Sequence, residues 1–311
     1  MNVAFGRLPT RPYSLSRMMT LLASGQSEPP VCCVVVYVSE GRKGSLLDDL
    51  AKAADMTTHD AGLIRQFRDP TYNRTGFTIG GHPARVAQAA IEVSRRALKS
   101  IDLRTHDASH PRVGVVDHIS IHPLGDPTDE GATLQAGRTI AETLGNEGLS
   151  ILLYGGLKDD LRLAKVRRST PYFIGSHVPE YIEADCGPSK VSAAQGISTI
   201  GCTPLITNYN ILLDTRMKGI AAAVTRSVRE KDGGLQWVEA LTLEREDGRY
   251  ETACNLLRPK KVTPAMVLDV AKAQAARLDI AVVDEYVTGP TEEEIVVAIS
   301  DILRRPLPEV D

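Results

Sequence analysis

A chain of 311 residues with 42% hydrophobic and 24% charged side chains is long enough to bury one large core or two medium ones. Its formal charge of −3 comes from mixed signs without long runs, which argues against a nucleic-acid surface or a membrane patch, and no apolar stretch reaches spanning length. Five cysteines, at 32, 33, 186, 202 and 254, form no CxxC pair and read as buried, reduced thiols of an intracellular protein.

Residues 1 to 30 stand apart. They carry Arg7, Arg11 and Arg17, four serines and no acidic residue before Glu28. That bias resembles a mitochondrial or chloroplast transit peptide; a disordered tail, or a true start at Met18 or Met19, fits the same composition, and with either of these the protein is expected in the cytoplasm.

From residue 31 the pattern is that of a layered α/β chain. Val31 to Val38 is almost wholly apolar, as in a strand covered on both faces. After the polar turn Ser39-Glu40-Gly41-Arg42, Leu46, Leu47, Leu50 and Ala54 recur at helical spacing. Strands are expected near Gly62 to Phe67 and from Asn73 to Ile79, with Asp69-Pro70 turning between them. Pro83 opens a helix whose buried face is Val86, Ala90, Val93, Ala97 and Ile101. Thr128 caps the next helix, Gly145 ends it, and Ile151 to Tyr154 is a further strand. The stretch Lys158 to Ala184 lacks sustained periodicity and marks the expected boundary.

The second half repeats the alternation. Strands near Gly196 to Ile200 and Leu205 to Leu213 precede a helix bearing Ile220, Val224 and Val228. Asp247-Gly248 is a hairpin signal between strands Leu235 to Glu244 and Tyr250 to Leu256. Thr263-Pro264 starts a helix, Ile280 to Val283 is a short strand, and Thr291 with Glu294 forms a capping box before the last helix. Two α/β halves of similar size follow, 31–183 and 184–311.

The chemistry concentrates in one segment: four of the seven histidines lie between His106 and His122. His110-Pro111-Arg112 leads into the alternating run Val113 to Ile121, a strand entered from a polar loop, and Pro111 biases its approach to extended geometry. His110 therefore belongs at the mouth of the strand, where a neutral imidazole can take a proton near pH 7. Taken singly, His106, His118 and His122 read as ordinary loop and strand histidines. The x3 spacings suggest metal ligands, but His118 and His122 on one strand stand about 13 Å apart, too far for one ion.

The runs TYNRTGFT (71–78), IDLRTH (101–106), HPRVGVVDHISIHPL (110–124), ILLYG (151–155), DCGPS (185–189), TNYNILL (207–213) and ACNLL (253–257) occur in an order that resembles the formiminotransferase family. The likeness is closer to the plant formiminotransferase-like proteins than to the two-function animal enzyme. It implies an α+β fold: two sandwich subdomains, each a mainly antiparallel sheet with helices packed on one face, and a groove between them that takes substrate. It also implies a place in one-carbon metabolism and histidine catabolism. The implied activity is transfer of a formimino or formyl group between glutamate and tetrahydrofolate, with tetrahydrofolate as co-substrate, no metal, and a homodimeric habit.

Residue by residue, the resemblance makes His110 the general base, taking the N5 proton as that nitrogen attacks the one-carbon group and returning it to the leaving amine. His106 and Arg112 match positions beside it. Arg112 can grip a carboxylate with two hydrogen bonds. Asn73 and Arg74 match a pair suited to a pterin or a carboxylate, although Asn73 equally suits a strand-entry turn. Gly187, Asn208 and Asn210 match positions lining the groove, and Gly187 equally makes a domain-linking turn. The chain departs from the pattern at Asp107-Ala108-Ser109, which lacks the acidic neighbour of the histidine. The segment after Arg168 is also shorter than in the relatives. The chain ends where the two-function enzyme continues into its cyclodeaminase part, so that activity is expected to be absent. Three functions fit: an active transferase, a folate-binding protein of the same fold without turnover, and, least well, a metal hydrolase built on the histidines.

Overall fold

The computed structural model describes residues 30–55, 60–108, 112–124, 130–168 and 179–304. His110 and its neighbours 109 and 111, the expected cap Thr128 and the arginine-bearing segment 1–29 lie outside the described residues.

The first sheet is built from β1 (Val31–Val38), β2 (Ala61–Asp69), β3 (Arg74–Gly81), β4 (Val116–Leu124), β5 (Ser150–Gly155) and β6 (Ile197–Cys202), in the spatial order β2-β3-β1-β4-β6-β5. β1 lies inside the sheet, antiparallel to both β3 and β4, which is why its sequence is apolar throughout. Cys32, Val34, Val36 and Val38 point to one core. Three helices cover that side: α1 (Gly44–Ala54), α2 (Pro83–Ser100) and α3 (Glu130–Asn146). α2 starts as its sequence asks, with Pro83 in the first turn after an extended His82, and it buries Val86, Ala90, Val93 and Ala97.

A short helix, α4 (Leu163–Arg168), follows β5 in the stretch where no periodicity was expected; its six residues are too few to show one. The second sheet contains β7 (Thr207–Leu213), β8 (Val238–Glu244), β9 (Tyr250–Leu256) and β10 (Val282–Val287), all antiparallel in the order β10-β7-β9-β8. α5 (Lys218–Val228) and α6 (Pro264–Arg277) pack on one of its faces through Ala221, Val224, Val267 and Ala271. Gly248 closes the β8–β9 hairpin at φ +77°, a left-handed conformation that glycine adopts without strain.

The two mainly antiparallel sheets with their helices make the α+β fold expected from the sequence, and four details differ. The strand at 197–202, assigned above to the second half, lies between β4 and β5 of the first sheet and runs parallel to both. The sheets therefore part after residue 202, not at 183, because parallel pairing needs the long crossover that residues 156–196 supply. The signature strand starts at Val116 instead of Val113: the Asp117 carboxylate takes the Val113 amide at 2.6 Å, and the chain bends there. β8 starts at Val238, after Trp237 at φ +67°. The last helix, α7 (Glu292–Ile302), keeps its capping box but returns to the first sheet, on the face opposite α1 to α3, where Ile295 and Ile299 pack with Cys33 and Leu124. Gly80 makes room for it, since a Cβ there would stand 2.6 Å from Ile299 Cγ1.

Candidate functional site

The second sheet has one face under helices; the first has one face under α1 to α3 and the other shared between α7 and the space facing the second sheet. Between the facing sides lies a cavity of about 770 Å³, within the usual range for a small-molecule site. Strand alternation decides what lines it. On β4, Ile119 and Ile121 enter the helical core, so His118, Ser120 and His122 form the floor of the cavity. Tyr37 of β1 and Thr78 of β3 extend that floor, and Asn208, Asn210, Leu241 and Asn255 stand opposite on the second sheet.

The floor is polar and uncharged. His118 Nε2 lies 2.6 Å from the Tyr154 hydroxyl, and its ring stacks on Tyr37 with centroids 6.0 Å apart and planes 6° from parallel. Burial above all, then the Arg167 guanidinium and His122, drives its pKa well below the ordinary imidazole value. His122 places Nδ1 3.0 Å and 3.2 Å from the carbonyls of Thr203 and Pro204. Carbonyls only accept, so Nδ1 carries the hydrogen, and Nε2, 3.0 Å from Ser120 Oγ, accepts the serine hydroxyl. Burial lowers the pKa of His122 as well, its two carbonyl partners opposing.

The walls are cationic. Among the described residues, eight basic side chains line the cavity, including Arg74, Arg112 and Lys165, Arg167 and Arg168 of α4, against four acidic ones. Arg74 lies over the rings of Tyr37 and Tyr72, 5.8 Å and 5.6 Å from their centroids. Arg167 Nη2 donates to Asp117 Oδ2 at 2.8 Å.

The loop that carries His110 is held at both ends. Asn73, left-handed at φ +47°, accepts from the Gly41 amide at 2.8 Å and donates to the Asp107 carbonyl at 2.8 Å. Arg112 Nη2 donates to the His106 carbonyl at 2.9 Å, and Asp117 fixes the Val113 amide beyond it. Both ring nitrogens of His106 are buried, with no hydrogen-bond partner of good geometry among the described residues. Burial and then the Arg112 charge push its pKa down to about 4.

A second polar cluster joins the sheets beside the cavity. The fully buried Glu251 of β9 accepts from Tyr72 at 2.7 Å, Asn210 at 2.8 Å, and Arg245 and Tyr286 at 3.0 Å each. Tyr72 comes from the β2–β3 turn of the first sheet and the other partners from the second, so this carboxylate ties the two together.

Of the residues expected from the sequence, Asn73, Arg74, Arg112, Asn208 and Asn210 converge on the cavity. His106 and Gly187 are not among its lining residues. Gly187, at φ +81°, packs just before β5, where a Cβ would stand 2.0 Å from the Leu149 carbonyl oxygen, a conformation and a close approach that both require glycine. His118, Ser120, His122 and Arg167 were not chosen from the sequence. The signal was present in His-Ile-Ser-Ile-His, three polar residues alternating with two that the core requires.

Comparison with known proteins adds the family. Residues 31–203 match the model of the formiminotransferase domain, N-terminal subdomain. The chain is 30% identical over 295 residues to the formiminotransferase cyclodeaminase-like protein of Arabidopsis thaliana, covering 87% of this chain and 97% of that one. It is 25% identical to the glutamate formimidoyltransferase of Streptococcus pyogenes serotype M1 over 85% of this chain and 89% of the relative. With the formimidoyltransferase-cyclodeaminase of Rattus norvegicus it shares 26% identity over 81% of this chain and 48% of that one. The chain belongs to the formiminotransferase family.

Proposed function

We propose that this protein is a transferase that moves a formimino or formyl group between a glutamate-derived donor and tetrahydrofolate in the cavity between its sheets, with His110 as general base. The observation that carries this is the cavity itself, a cleft between a neutral polar floor and a cationic wall. Folate and its one-carbon donors combine a planar or amide-like reacting part with glutamate carboxylates. The stacked Tyr37 and His118 offer a flat face with hydrogen-bonding nitrogens, the side-chain amides of Asn208 and Asn255 offer donors and acceptors, and Arg74 and Arg112 suit carboxylates. Family membership points the same way. The protein is taken as a homodimer on the family's habit alone, and a monomer mass in solution would contradict that.

The direct test is turnover of the full chain with formiminoglutamate and tetrahydrofolate, and in parallel with 5-formyltetrahydrofolate and glutamate. Product from either pair supports the transferase. Tight folate binding without product from either would select the binding protein, which the loss of the acidic neighbour at Ser109 already favours. Absence of both binding and turnover would overturn the folate assignment.

A further inference from the structure

The pair Ser120 and His122 has a geometry that the one-carbon transfer does not use. The His122 ring is locked by two carbonyl acceptors into the tautomer with its free lone pair on Nε2, and that lone pair receives the Ser120 hydroxyl at 3.0 Å. A hydroxyl bonded to a neutral imidazole that a third group orients is the arrangement of an activated serine nucleophile. Burial lowers the pKa of the imidazole, which favours the form that can accept a proton. Both residues sit on β4, which is paired on both sides, Ser120 opposite Val35 and Gly201, so their separation is fixed by the sheet and not by a loop. A serine that merely satisfied a buried histidine would have no need of open space, yet both residues line the cavity. The excess of basic side chains around it favours the negative charge that develops on an attacked carbonyl oxygen.

We propose that Ser120 is a nucleophile with His122 as its base, and that the site accepts the acyl group of a small ester or activated amide. In the step, Ser120 Oγ bonds to the carbonyl carbon and its proton passes to His122 Nε2. The bond to the leaving alcohol or amine breaks, and that group takes the proton from Nε2, leaving an O-acyl serine. Water or an amine then repeats the sequence in the second half-reaction, releasing the acyl group and restoring the hydroxyl. Neither folate nor His110 takes part, so this activity goes beyond the transferase reading and stands or falls separately.

The test is to treat the full chain with an alkyl fluorophosphonate, which transfers its phosphonyl group to an activated serine with loss of fluoride, and to map the adduct by peptide mass. The expected result is one adduct, on the β4 peptide at Ser120, formed without added folate. Ser120→Ala should lose the label, and His122→Gln should slow labelling roughly a hundredfold, the lower range for a positioned base. Melting curves of each variant show that it is folded, and the mapping on the wild type decides the matter where a variant is not. A folded wild type that stays unlabelled, or an adduct at another residue, overturns the proposal. Labelling of His122→Gln at the wild-type rate overturns the role of the histidine. None of these failures touches the turnover assay above.

Discussion

Two buried polar clusters lie between the sheets, one beside the cavity and one on its floor, and they are built on opposite plans. At Glu251 a full charge is surrounded by Tyr72, Asn210, Arg245 and Tyr286, so its carboxylate oxygens are occupied by protein donors. Along β4, His118, Ser120 and His122 are uncharged, His118 bonded to Tyr154 and Ser120 to His122, and line the cavity. A buried charge is tolerated only when it is fully compensated, and a compensated charge has nothing left for a ligand. Neutral polar groups are cheap enough to leave facing a cleft, where a substrate can complete their bonding. The first cluster holds the sheets in register and the second is what they enclose.

The comparison breaks most readily at Glu251. Glu251→Ala leaves Arg245 and two phenols at the junction without their acceptor, and should lower stability by about 3–5 kcal/mol, the usual result of removing one partner of a buried pair. A thermal melt with the midpoint near wild type would refute the structural role.

Acid tests the floor next. His106, His118 and His122 all have pKa values lowered in the folded protein, to about 4 for His106 against an ordinary 6.5. Between those values the unfolded chain binds protons that the folded chain does not, so the contribution is intact above about pH 6.5 and is lost as pH falls toward 4. Midpoints should drop steeply between pH 7 and 5, and His118→Gln should flatten that dependence. A flat profile in the wild type would contradict the neutral floor.

Smaller effects sharpen the assignment of roles. Asp117→Asn keeps an acceptor for the Val113 amide but removes the charge facing Arg167; about 1–3 kcal/mol of stability should be lost, with a larger loss in turnover because the His110 loop is anchored there. Unchanged turnover would separate that loop from the chemistry. His118→Gln should cost stability only about 1 kcal/mol, since a glutamine amide can still hydrogen-bond the Tyr154 hydroxyl, while folate affinity falls about tenfold. Undiminished affinity, measured by titration calorimetry, would remove His118 from the binding floor.

Much of the fold was legible because local signals were strong. Val31–Val38, the Pro83 helix start, the Asp247-Gly248 hairpin and the Thr291 capping box were all expected and are all present. What the sequence could not carry was pairing at a distance. β6 reads like any short apolar strand, and only its neighbours β4 and β5 assign it to the first sheet. α7 reads as an ordinary amphipathic helix, and its return to the first sheet depends on space left by Gly80. The site followed the same division. Asn73, Arg74, Arg112, Asn208 and Asn210 could be chosen from the sequence and meet at the cavity, but His118 and His122 looked like bystanders along a strand. Their importance depends on which sheet face is covered, and that is settled by three helices that follow or precede β4 in the chain.

The central claim, one-carbon transfer with His110 as the base, is tested most directly by comparing wild type with His110→Ala for turnover and for tetrahydrofolate binding in the same preparations. The expected result is a loss of two to four decades in rate, the usual contribution of a positioned acid-base group, with affinity changed less than about threefold. A variant that turns over at the wild-type rate would contradict the account.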